Sequence, residues 1–176
     1  MLRPRVIPIV ITAAISASVL FGGWAIYNQV AVAAPLEQVA KDVAGVVSSD
    51  KPVMDNEQVT ITIELNEDAN LRDVYERIEA NGKEVFDNRM LTLKFKGKSN
   101  KQLEDLWYAS MFDIAEAMET KTYSSIPEAM NKTAKAYKDV TVTTEMDEKN
   151  VYITLKNPEA VKYVVLPRIS AQLEAW

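Results

Sequence analysis

The sequence has neither cysteine nor histidine. Without cysteine there is no disulfide framework and no thiol nucleophile, and the usual zinc, haem and iron–sulfur sites lose their commonest ligands. Serine–histidine–aspartate and cysteine–histidine catalysis are excluded on the same ground, as is histidine-based sensing near neutral pH. Glycine is scarce, with five in 176 residues. Neither G-x-x-x-x-G-K nor G-x-G-x-x-G occurs, which argues against nucleotide binding through a phosphate-cradling loop. Only carboxylates, lysine, tyrosine and serine remain as possible catalysts.

Positive charge is also in short supply. Lysine and arginine number 20 against 25 acidic residues, a formal charge of −5. The only charges before Pro35 are Arg3 and Arg5, so the rest of the chain is more acidic than the total suggests. Nucleic-acid binding needs cations to neutralise phosphates, and no nucleic-acid partner is expected. Lys94, Lys96, Lys98 and Lys101 form a short basic cluster, but they alternate with Leu93 and Phe95 and read as a solvated strand face and its exit turn.

What the chain does contain is one long apolar run. Residues 6–27, VIPIVITAAISASVLFGGWAIY, carry no charge. As a helix rising about 1.5 Å per residue they cover a hydrocarbon layer of about 30 Å. The following AVAAP, residues 31–35, looks like a signal-peptidase site. The run, however, is longer than a signal-peptide core, and Pro35 restricts the backbone a protease would bind. Trp24 and Tyr27 fit an interfacial belt, and Arg3 and Arg5 put the N-terminus in the cytoplasm by the positive-inside rule. The expected organisation is a cytoplasmic tail (1–5), a transmembrane helix (6–27), a juxtamembrane linker with an amphipathic helix (28–50) and an extracytoplasmic domain (51–176). Its first partner is then the lipid bilayer, through residues 6–27. Ala14, Ser18 and Gly22 recur every four residues, a small-residue spacing that allows a homodimer through close helix approach.

In the outer part, Leu36, Val39, Ala40, Val43, Val46 and Val47 recur at helical spacing, and Ser48 to Pro52 ends that pattern. Val59, Ile61, Ile63 and Leu65 alternate with polar residues as in a half-buried strand. Asn70 caps a helix with the stripe Leu71, Val74, Tyr75 and Ile78, and Gly82 is expected as its left-handed terminus. Leu91, Leu93 and Phe95 predict a second strand. Ser99 and Gln102 suggest a capping box before a long helix, whose buried stripe would be Leu103, Leu106, Trp107, Met111, Ile114, Ala115 and Met118. Ser125, Pro127 and Glu128 start another helix. Val140, Val142 and Met146 face Val151, Ile153 and Leu155 in an expected hairpin. Asn157 and Pro158 suggest a final helix with Val161, Val165, Ile169 and Leu173 on one side.

The fold class is therefore α+β: an N-terminal single transmembrane helix followed by a small mixed β-sheet domain with helices packed on it. In element order the domain resembles the small αββ and βαβ modules with which bacterial envelope proteins assemble, including the BON and ring-building types. That resemblance implies an assembly role and transfers no functional residue.

Local motifs have structural accounts. Ser48 to Lys51 matches S-x-x-K but lies beside Pro52 with no KTG after it. Asn66, Asp68, Asn70 and Asp73 have the alternation of a calcium loop without its central glycine or terminal glutamate. Glu104, Asp105, Asp113, Glu116 and Glu119 are spaced as a solvated helix face. No catalytic, cofactor-binding or metal residue is singled out, and no cofactor is expected. The function expected is a protein-binding, assembly or regulatory module of a bacterial-type cell envelope, with a protein partner there and no enzyme activity. A carboxylate-based enzyme on cell-wall polysaccharide and a small-ligand or lipid binder are the alternatives.

Overall fold

The computed structural model describes residues 6–27, 34–55, 57–86, 89–97 and 99–168, with the side chains of the first helix described over residues 10–23. That helix, α1, runs Val6–Tyr27. Its large described apolar side chains are exposed, Leu20 at 73% and Phe21 at 74%. Among the described residues no helix is long and apolar enough to cross a membrane. The 14 residues with described side chains amount to about 21 Å of helix. Arg3, Arg5, Ile169, Leu173 and Trp176 lie outside the described residues.

The remaining elements are α2 (Ala34–Lys41), β1 (Val46–Ser49), β2 (Val53–Met54), β3 (Gln58–Leu65), α3 (Leu71–Phe86), β4 (Met90–Phe95), α4 (Lys101–Glu119), α5 (Ser125–Ala134), β5 (Thr141–Met146), β6 (Asn150–Asn157) and β7 (Ala160–Pro167). The α+β class stands, but there are two sheets where a single small mixed sheet is expected from sequence. In the first, β3 is central: β4 runs parallel along one edge, and β1 and β2 lie antiparallel to it. The second is an antiparallel meander, β5-β6-β7.

The first core forms because β3 points Val59, Ile61 and Ile63 to one side, where they meet Leu71, Val74, Tyr75 and Ile78 of α3 and Leu36 and Ala40 of α2. Each fully buried leucine or isoleucine contributes about 1.5–3 kcal/mol, so this stripe is the main reason α3 stays on the sheet. Asn70 caps α3 as expected, accepting from Asp73 N at 2.9 Å.

Three expectations need correction here. Gly82 does not end α3: the helix continues to Phe86, whose ring fills the space beside Gly82 so closely that a Cβ would come within 2.3 Å of it. Val46 and Val47 are strand residues, because Gly45 (φ +98°) breaks the helical periodicity and lets the chain turn onto β3. The segment after Pro158 is a strand, β7, paired with β6 along its whole length from Asn157↔Ala160 to Asn150↔Pro167. Its β-branched residues favour an extended chain once a neighbour strand satisfies the backbone.

The second core lies between α4, α5 and one face of β6, where Leu103, Leu106, Ile114, Ile126, Met130, Val151, Ile153 and Leu155 are buried together. β6 also serves the first core. Side chains alternate across a strand, so Tyr152 emerges on the other face and packs edge-on against Tyr75, with ring centroids 5.5 Å apart.

Candidate interaction surface

α4 begins at Asn100, whose Oδ1 accepts from Leu103 N at 3.1 Å. The capping residue is thus Asn100, one position after the expected Ser99. Ser99 instead hydrogen-bonds Glu104; with the ammonium of Lys162, it holds that carboxyl below the ordinary carboxylate range. Lys162 Nζ reaches both Glu104 oxygens at 2.9 and 3.0 Å and ties β7 to the helix.

The buried stripe of α4 is Leu103, Leu106, Ser110, Ile114 and Ala117. Ser110 is satisfied by donating to Leu106 O at 3.0 Å. The expected stripe is therefore turned about the helix axis. Trp107 and Met118 are half-buried at its border, while Met111 and Ala115 face outward. With them stand Tyr108, 62% exposed, and Phe112, 86% exposed. Positions 108, 111, 112 and 115 fall at i, i+3, i+4 and i+7, so they form one continuous outward stripe. Helix α4 is apolar on two faces, and only one meets the core.

Charges border this stripe unevenly. At its N-terminal end Lys101 pairs with Asp105 at 2.6 Å, which raises the lysine pKa. At the other end Asp113, Glu116 and Glu119 are exposed, and among the described residues none of them has an ion-pair partner. The last turn of α4 contains no basic residue.

The other motif residues are absorbed locally. Ser48 lies on β1 and donates to Glu64 Oε2 at 2.9 Å, so it has no helical turn to share with Lys51. Asn66 Oδ1 accepts from Asp68 N at 3.1 Å and Asn70 both caps α3 and donates to Glu145 at 2.9 Å, so the calcium-like spacing builds a turn and a cap. Among the described residues no group of three or more acidic side chains could hold a metal ion. Lys96 pairs with Asp50 at 2.5 Å, Lys94 is exposed, and Lys98 lies outside the described residues.

Two shallow clefts of about 200 Å³ each flank the β6–β7 hairpin and share Val161. One is rimmed by Glu67, Lys156 and Glu159, the other by Phe95, Ser99 and Tyr163. The first carries two carboxylates, Glu67 and Glu159, beside Lys156, and the second carries none. A dense polar cluster sits at the β5–β6 turn. There Asp147 accepts from Lys149 N, Asn150 N and the Tyr152 hydroxyl at 2.7, 2.6 and 2.6 Å, and Arg168 reaches its carbonyl. Tyr152 is buried in the first core while Asp147 is half-buried and Lys149 exposed, so this cluster fastens the turn to that core.

Compared with protein-family models, with curated proteins and with solved structures, the chain has no match.

Proposed function

We propose that the protein is a single-pass, membrane-anchored, extracytoplasmic protein-binding module of a bacterial-type cell envelope, and that it acts by association without catalysis. The observation that carries the binding role is the outward stripe Tyr108, Met111 and Phe112 on α4. A phenylalanine and a tyrosine held in water on a regular, capped helix have no role in this domain's own core. Aromatic anchors of this kind dominate protein interfaces.

Anchoring is supported by α1: an uncharged 22-residue helix, apolar all round, with its large described apolar side chains exposed. A helix without a polar face buries that surface in lipid or protein. Arg3 and Arg5 before it favour a cytoplasmic N-terminus. Ala14, Ser18 and Gly22 leave room for a second copy of α1, with the Ser18 hydroxyl folded back on Ala14 O at 2.8 Å.

The test is site-specific photocrosslinking in intact cells, with the crosslinking residue at position 112 or, as a control, at exposed Glu128. A discrete protein adduct from position 112 alone, in a membrane fraction resistant to carbonate extraction, is the expected result. Equal or absent adducts at both positions would overturn the binding role, and release by carbonate would overturn the anchor.

A further inference from the structure

We propose that the outward face of α4 docks an amphipathic protein segment whose apolar stripe is flanked by lysine or arginine. This rests on the protein-binding reading and names the chemistry of the partner. Tyr108, Met111 and Phe112 supply the apolar centre. Glu116 and Glu119 follow Phe112 at i+4 and i+7, so they continue the same stripe, and Asp113 borders it. Among the described residues these three carboxylates have no cation, and Lys101 is engaged by Asp105.

Their position is unfavourable for the isolated domain. The C-terminal end of a helix carries the negative end of the backbone dipole, where acidic side chains are disfavoured and cations are favoured. α4 ends in Glu116 and Glu119 with no basic residue in its last turn. A partner's ammonium or guanidinium group placed there meets two carboxylates and the negative end of the helix dipole together, while its apolar residues cover Phe112. The same charge pattern decides against other occupants. A second copy brings the same carboxylates to the same face, and an anionic lipid surface brings phosphates.

The experiment uses the full chain in nanodiscs of zwitterionic lipid. The probe is a dye-labelled amphipathic helical peptide with a leucine stripe flanked by lysine, beside its counterpart flanked by glutamate. Fluorescence anisotropy should show the lysine peptide bound at least about tenfold more tightly than the glutamate peptide, with affinity falling as salt rises. Phe112→Ala should weaken binding about tenfold or more, as loss of an aromatic anchor does. Glu116→Gln with Glu119→Gln should weaken it by a similar factor and flatten the salt dependence. The double change Glu128→Gln with Glu148→Gln removes the same net charge elsewhere on the surface and should shift binding less than about twofold. Equal binding of the two peptides, or equal effects of the two double changes, overturns the proposal. So does a Phe112-dependent self-association in sedimentation, or Phe112-dependent binding to anionic vesicles, since each names a different occupant. If position 112 crosslinks a protein in cells but the lysine peptide is not preferred, the binding role stands and the basic partner falls.

Discussion

Tyr152 is buried in the first core, with its hydroxyl donated to Asp147 and accepting from Asn150 at 3.2 Å. Burial, followed by the bond to Asp147, raises its pKa well above the ordinary tyrosine value, and burial pushes neighbouring Tyr75 up to about 12. A phenol with a raised folded pKa lends stability that is complete below its unfolded pKa of about 10 and is lost as pH rises through the folded value. Urea midpoints should therefore hold to about pH 10 and fall between about pH 10 and 12. Tyr75→Phe should blunt that fall and cost about 1 kcal/mol at neutral pH, through the lost bond to Leu91 O. An unchanged alkaline limb in the variant would show that Tyr75 does not titrate in this way. Asp147 has the opposite sign. Partial burial raises its pKa, but the bonds from Tyr152, Asn150 and Lys149 outweigh burial and leave it lowered. Its stabilisation is present above an unfolded pKa of about 4 and is lost as pH falls through the lowered folded value. At Gly82, alanine would gain about 1 kcal/mol of helix propensity in an open helix. Here its Cβ meets the Phe86 ring, and overpacking costs about 1–3 kcal/mol. Gly82→Ala should therefore be net destabilising in chemical denaturation, and far less so when Phe86 is also shortened.

At the level of elements, α4 makes a two-faced prediction. Ile114→Ala removes a buried side chain and should cost about 2–5 kcal/mol, whereas Phe112→Ala on the opposite face should stay within about 0.5 kcal/mol. Reversed costs in denaturation would mean that the helix is rotated. This is also where the sequence ceases to be legible. Val59, Ile61 and Ile63 and the α3 stripe could be read because one element has one apolar side and its period names it. On α4 the apolar residues cover more of the circumference than the core does. Periodicity locates the helix and cannot choose which arc is covered, so Met111 and Ala115 are expected inside and Phe112 goes unnoticed. β7 fails for another reason: Val161 and Val165 are four apart, which suits a helix, and its half-buried residues show no clean alternation. Only the pairing with β6, a tertiary fact, decides for a strand. Val46 and Val47 likewise continue the helical spacing of α2, and the signal against it is Gly45.

For the whole molecule, the chain ahead of residue 51 bears on stability. α2 starts at Ala34, seven residues after α1 ends at Tyr27; seven residues reach at most about 25 Å. On the proposed anchoring through α1, that reach would keep the first core close to the bilayer. α2 and β1 also belong to that core: Leu36, Ala40 and Val43 are buried, and β1 pairs with β3 from Val46↔Leu65 to Ser49↔Ile63. Cutting the chain at residue 51 removes all of this and bares an edge of the central strand. At about 1.5–3 kcal/mol for each large buried apolar side chain, the loss is on the order of 5 kcal/mol before the ladder is counted. Typical domains are stable by only about 5–15 kcal/mol. Residues 34–168 should therefore unfold in one cooperative transition, while residues 51–168 should lack a sharp thermal transition by circular dichroism. Because β6 sits between both cores through Tyr152, the damage should spread. Amide exchange in β6 and α4 should quicken in the shorter fragment although neither element has been cut. A shorter fragment that melted as sharply as the longer one would show that α2 and β1 rest on a domain that is complete without them.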